Sequence, residues 1–275
     1  MSAIGPIGVF DSGYGGLTVL RALVDRLPGY DYLYLGDNAR APYGNRSYAT
    51  IYQYTLQAVR WFFDQGCELV ILACNTASAK ALRNIQQLDL PTLAPHKRVL
   101  GVIRPSSEVL GNYSVSKQVG IMGTSGTVQS ESYIIEMAKF FPEVKVFQQA
   151  CPMWVPIIEN GEFDSEGADY FVKKYLDQLF SQSKQIDAVL LACTHYPLLE
   201  AKIKAYAPQT VKFISQGDIV AQSLALYLEN HPEIAQKCSK NGQISFFTTD
   251  NEQVFEQQGS LFFGQKIAAK HTDLA

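Results

Sequence analysis

The 275-residue chain has no excess of charge of either sign: 23 Lys and Arg stand against 26 Asp and Glu, a formal net charge of −3. Such a balance offers no basic surface for a polyanion, so no nucleic acid partner is expected. No apolar run approaches the ~20 residues of a membrane-crossing helix, and no membrane partner is expected either. The opening stretch, MSAIGPIGVFDSG, has no basic region ahead of an apolar one, so we expect no signal peptide. The five cysteines, Cys67, Cys74, Cys151, Cys193 and Cys238, contain no C-x₂-C pair, and the four histidines are scattered. That excludes the usual metal-ligand spacings. An odd number of widely spaced cysteines also argues against a disulfide framework and for free thiols in a reducing, cytoplasmic setting. Two nucleotide signatures are missing as well, G-x-G-x-x-G and the lysine of a P-loop. What remains is 47% hydrophobic and 18% charged, the composition of an ordinary globular enzyme.

The most informative feature present is a repeat. Leu69–Ala73 is an apolar run that predicts a strand buried on both faces. It stops at Cys74, and Asn75 and Thr76 follow as capping residues before a helix-favouring stretch. A thiol there, at a strand's carboxyl end and a helix N-terminus, sits where α/β sheets bind ligands. Its pKa is expected to be lowered by the helix dipole. The same context recurs in Ala188–Lys202, AVLLACTHYPLLEAK, with Cys193 in the place of Cys74. A weaker echo links Gly8–Gly13, GVFDSG, with Gly120–Ser125, GIMGTS, at a similar offset. Together they predict a duplicated α/β unit in which each copy supplies one polar strand-end turn and one cysteine.

Other segments fit around these. Asp11 to Gly16 is a glycine-rich turn that either approaches a ligand or is a plain strand-to-helix turn capped by Asp11. The polar loop Gly36–Arg46 carries Arg40, Pro42, Tyr43 and Gly44; Arg40 is read as pinning the loop, and Tyr43 as able to contact an anion. Ser47 should cap a helix running to Gln65, with Gly66 as its stop. Pro91 and Pro95 bracket a presumed linker, and Arg98–Val102 resumes as a strand. We therefore expect a first domain of residues 1–97 plus 215–275 and a second of residues 98–214. Gly123–Thr127 ends a strand in small hydroxyl residues suited to a carboxylate or phosphate. Glu159 lies among Trp154, Val155, Ile157 and Ile158, and His195 stands two residues past Cys193 as a plausible proton partner.

One cysteine beside a histidine would suggest a nucleophile, as in a hydrolase or a one-thiol decarboxylase. Two matched cysteines suggest two bases flanking one carbon, one thiolate taking a proton while one thiol supplies another. A carboxylate-binding protein without catalysis is the remaining alternative.

Asp11-Ser12-Gly13, the Pro42-Tyr43-Gly44 loop, Ala73-Cys74-Asn75-Thr76-Ala77, the Gly123–Thr127 turn and Cys193-Thr194-His195-Tyr196-Pro197 resemble, in order, the glutamate racemases of the cofactor-independent aspartate/glutamate racemase superfamily. The resemblance implies an α/β fold of two pseudo-symmetric doubly wound α/β domains with the active site in the cleft between them. It implies Cys74 and Cys193 as catalytic bases, serving D- and L-glutamate respectively. Asp11 and His195 would assist them, with Glu159 as a helper near His195. Ser12, Tyr43, Gly44, Asn75, Thr76, Thr124, Thr127 and Thr194 would hold the carboxylates and amino group. It further implies no pyridoxal phosphate and no metal, a homodimer, and supply of D-glutamate for peptidoglycan; aspartate racemisation is its nearest rival. Two positions depart from the family pattern, Arg104 in place of the usual Glu and Ser215-Gln216-Gly217 in place of an acidic turn. Both are read as bearing on dimer contacts or regulation.

Overall fold

The computed structural model describes residues 4–274. Residues 1–3 and 275, assigned above to the first domain, lie outside them. Among the described residues, ten parallel strands form two sheets: β1 (Ile7–Asp11), β2 (Tyr32–Gly36), β3 (Leu69–Leu72), β4 (Arg98–Gly101), β9 (Ile244–Thr248) and β10 (Ala269–His271) in the order β10-β9-β2-β1-β3-β4, and β5 (Gln118–Gly123), β6 (Lys145–Ala150), β7 (Ala188–Ala192) and β8 (Lys212–Ile214) in the order β6-β5-β7-β8. Helices cover both faces of a parallel sheet, which is why the central strands are apolar throughout; β1, β2, β3 and β7 are buried at every residue.

Helix α1 (Leu17–Arg26) buries Leu17, Val19, Leu20 and Leu23, and packs against the helix Gly217–Asn230. Helix α2 (Tyr48–Asp64) is capped by Ser47, whose hydroxyl accepts the Thr50 amide at 3.2 Å. It turns Ile51, Thr55, Ala58, Val59 and Phe62 inward at helical spacing, and Gly66 ends it at φ +85°.

Two sequence expectations need correction. The presumed linker is helical: segments Leu82–Asn84, Ile85–Asp89 (a π-turn) and Leu90–Leu93 run on past Pro91. The proline falls in the first turn of the last segment, where a missing N–H costs no hydrogen bond. The strand Arg98–Gly101 then pairs with β3, residue for residue from Leu69↔Arg98 to Leu72↔Gly101, so it belongs to the first sheet and not to the second unit. The backbone groups along both edges of a buried strand need partners, and β1 supplies them along only one edge of β3. After β8 the chain returns, and β9 and β10 extend the first sheet beyond β2.

Candidate active site

The carboxyl ends of β1, β3, β5 and β7 converge on one cavity of about 50 Å³, with Ser12, Cys74, Thr124 and Cys193 in its wall. A larger groove of about 920 Å³ holds neither thiol, and its Arg83, Arg104 and Lys139 are each paired with Glu136 or Glu108. Arg104, the departure noted above, is a surface partner of Glu108 at 2.8 Å.

On the first-sheet side, Cys74 is 6% exposed and occupies the N-cap position of α3 (Asn75–Lys80) itself. Asn75 and Thr76 are therefore buried first-turn residues and not caps. The Cys74 thiol donates to Ser12 Oγ at 3.5 Å. The expected lowering of its pKa is reversed: burial, and then the negative charge of Asp11, push it up to about 12, outweighing the Ser12 contact. Asp11 is fully buried behind the cavity wall; its carboxylate accepts the Gly13 amide at 3.0 Å and the Thr194 hydroxyl at 3.4 Å. Burial raises its pKa as well, against the opposing charge of His195.

The loop after β2 supplies Tyr43 and Gly44 to the wall. The Tyr43 hydroxyl donates to Asp37, which also takes Arg40 Nε at 2.7 Å, while the guanidinium lies 4.2 Å from the Tyr54 ring centroid. Arg40 thus pins the loop, and Asp37, unremarked in the sequence, is the buried anchor that spends the Tyr43 hydroxyl. The Gly44 carbonyl accepts the Gly126 amide at 2.9 Å, joining this loop to the turn after β5.

On the second-sheet side, Thr124 caps the short helix Ser125–Gln129 and meets Thr76 at 2.9 Å between hydroxyls. Thr127 is corrected as a wall residue: the helical turn folds it back under its cap, fully buried, with its hydroxyl 3.1 Å from that of Thr124. Cys193 is 7% exposed and lies 3.9 Å from His195 Nδ1. His195 Nε2 is 2.9 Å from Glu159 Oε1. Burial alone would lower the imidazolium pKa, but the hydrogen bonds and charges of Cys193 and Glu159 raise it to about 10. Cys151 also lines the cavity, and Phe262 packs edge-on against His195 with ring centroids 5.2 Å apart. Neither had a local sequence signal.

Residues 7–224 match the family model described as Asp/Glu/Hydantoin racemase. The chain belongs to that racemase family. A glutamate racemase of Ruegeria sp. (strain TM1040) is 42% identical over 271 residues, spanning 95% of this chain and 97% of the relative. Among solved structures, glutamate racemase isoform RacE1 from Bacillus anthracis superposes with a TM-score of 0.88 at 33% identity, covering 98% of each chain. The glutamate racemase from Francisella tularensis in complex with D-glutamate does so with 0.87 at 32%, again over 98% of each. Both thiols, Asp11 and His195 fall inside the span matched to the racemase family, whereas Phe262 lies beyond it.

Proposed function

We propose that this racemase interconverts L- and D-glutamate by proton transfer between two thiols, in a cleft between two pseudo-symmetric α/β domains, residues 4–101 with 217–274 and residues 118–214. The observation that carries the reading is the placement of Cys74 and Cys193 at equivalent strand ends on one cavity. Cys193, beside the imidazolium of His195, takes the Cα proton of L-glutamate; the C–H bond breaks and its electron pair stays on Cα next to the carboxylate. Cys74, which burial keeps protonated, delivers its own proton to the opposite face and forms the new C–H bond of D-glutamate. The reverse reaction exchanges the roles. Ser12, Gly44, Asn75, Thr76, Thr124 and Thr194, with Tyr43 through its backbone N–H, hold the substrate's carboxylates and amino group, and Asp11 acts on the Cys74 side through its charge. The same reading makes the protein a cytoplasmic homodimer supplying D-glutamate for peptidoglycan; the free state of all five cysteines supports the compartment, and the family resemblance supports the rest.

Purified, reduced protein is expected to exchange the Cα proton of either glutamate enantiomer in D₂O and to bring optical rotation to zero without added cofactor. Faster turnover of aspartate in the same assay would redirect the assignment within the family. Heat of glutamate binding with neither exchange nor rotation change would leave a binding protein.

The His195–Glu159 pair fixes a pH dependence. With its pKa raised to about 10, His195 remains a cation through neutral pH and loses its proton as the pH rises through that value. Glu159→Gln removes a charge that holds the pKa up, so the alkaline fall in kcat/KM for L-glutamate should move to lower pH. An unmoved alkaline limb would deny Glu159 this role.

A further inference from the structure

Asn75 adjoins Cys74, lines the cavity and is 3% exposed. Its amide is held at both ends by groups from outside its own helix. Nδ2 donates to Gln216 Oε1 at 2.6 Å, and Oδ1 accepts from the Tyr133 hydroxyl at 2.6 Å. Gln216 Nε2 donates to the Tyr133 oxygen at 2.8 Å, which closes a ring of three side chains with every donor pointing the same way round. Nε2 also reaches Ser106 Oγ at 2.8 Å and the Val102 carbonyl at 3.3 Å. Tyr133 comes from the helix Ser132–Phe140, Ser106 from Ile103–Leu110, and Gln216 from the turn ahead of Gly217–Asn230.

This ring has a sense, and Val102 sets it. A backbone carbonyl only accepts, so Gln216 must face it with Nε2 and turn Oε1 to Asn75. Asn75 must then face Gln216 with Nδ2, which leaves Oδ1 for the Tyr133 hydroxyl. The one donor left on Asn75 is its second Nδ2 hydrogen. Turned the other way, the amide would set its oxygen against Gln216 Oε1, two acceptors with no proton between them.

We propose that Gln216 and Tyr133 are positioning residues that lock the Asn75 amide in this orientation, so that it offers an N–H to a carboxylate of the substrate. The proposal rests on the reading that Asn75 contacts glutamate. It also gives Gln216, one of the departures from the family pattern, a role other than dimer contact: it is 4% exposed within a single chain.

The test is a double-mutant cycle with glutamate as substrate, reading KM, kcat and the thermal midpoint of Asn75→Ala, Tyr133→Phe, Gln216→Met and the two doubles carrying Asn75→Ala. Loss of an oriented donor to a charged ligand should raise KM about three- to tenfold in Tyr133→Phe and in Gln216→Met, with kcat within about twofold of the parent. Asn75→Ala should raise KM at least as much. In its presence neither second change should raise KM further, because their effect passes through Asn75. A KM rise that persists undiminished in the doubles, or single variants with a lowered midpoint and unchanged KM, would reduce the ring to a structural network and overturn the proposal. Unchanged KM in Asn75→Ala would remove Asn75 from the substrate site and the proposal with it, while leaving the two-thiol reading intact. Gln216→Met and Tyr133→Phe sever different bonds to Asn75, so one folded variant suffices for the cycle.

Discussion

Replacing Cys74 or Cys193 by serine is expected to lower glutamate racemisation roughly 10²–10⁴-fold in both directions, since a hydroxyl is a far weaker base than a thiolate. Each variant nevertheless keeps one competent thiol. A glutamate analogue with a leaving group on the β-carbon needs only one abstraction: the base takes the Cα proton, the electron pair forms the Cα–Cβ double bond, and the leaving group departs with its bonding electrons. No proton from the far face is required. Cys193→Ser should therefore eliminate from the D-analogue through Cys74, and Cys74→Ser from the L-analogue through Cys193. Product release from each enantiomer, followed by absorbance, reads this directly. If both variants process the same enantiomer, the thiols do not oppose each other. If one racemises at the parent rate, that cysteine is structural.

Gly15→Ala is expected to be nearly as damaging, although Gly15 bears no functional group. A Cβ at this position would press on Thr194 Oγ1 and His195 Nδ1, closer than side chains approach in folded proteins. Neither neighbour can yield cheaply. His195 is held between Cys193 and Glu159, and Thr194 is tied to Asp11 and, through its carbonyl, to the Thr18 hydroxyl at 3.1 Å. Moving the imidazole by about 1 Å, the shift that would relieve such a contact, should cost about 10²-fold in rate. The loss should fall on the Cys193 side. In the Cys74→Ser background the substitution should nearly abolish elimination from the L-analogue, whereas in the Cys193→Ser background elimination from the D-analogue should survive better. Activity within twofold of the parent would mean that the turn relaxes and that His195 does not need its position.

The parts of this architecture legible in the sequence are those written locally. The apolar run Leu69–Ala73, the Ser47 cap and the Gly66 stop each state their structure within a few residues, and the matched Ala-Cys strand ends announce two equivalent turns. The misreadings concern partners distant along the chain. Pro91 and Pro95 looked like punctuation because nothing nearby shows that Arg98–Gly101 completes β3. Thr127 looked like a ligand contact because a strand-end hydroxyl pattern does not show which hydroxyl the helix turns inward. A helix N-terminus suggested a lowered Cys74 pKa, but burial and a carboxylate from another strand outweigh the dipole. Asp37 carried no signal, and Gln216 and Gly15 stood out only as a departure from the family pattern and as part of a glycine-rich turn, since the importance of each lies in a group brought to it by the fold.

The order of the strands bears on how the molecule comes to exist. The second sheet draws on the unbroken stretch from Gln118 to Ile214 and can assemble from its own neighbours. The first cannot: its β2 pairs with β9, Leu33 with Ser245, across the whole intervening chain. Closing so long a loop is the slow kind of event in folding, and such pairings are made late. A chain emerging from the ribosome would hold Cys193 at a formed strand end while the sheet bearing Cys74 still had an open edge along β2. That edge is a row of unpaired backbone groups inviting association until β9 arrives to cover it. The last part of the protein to be finished is thus the outer edge of the first sheet, on the side of β2 away from the β1 and β3 ends that wall the cavity.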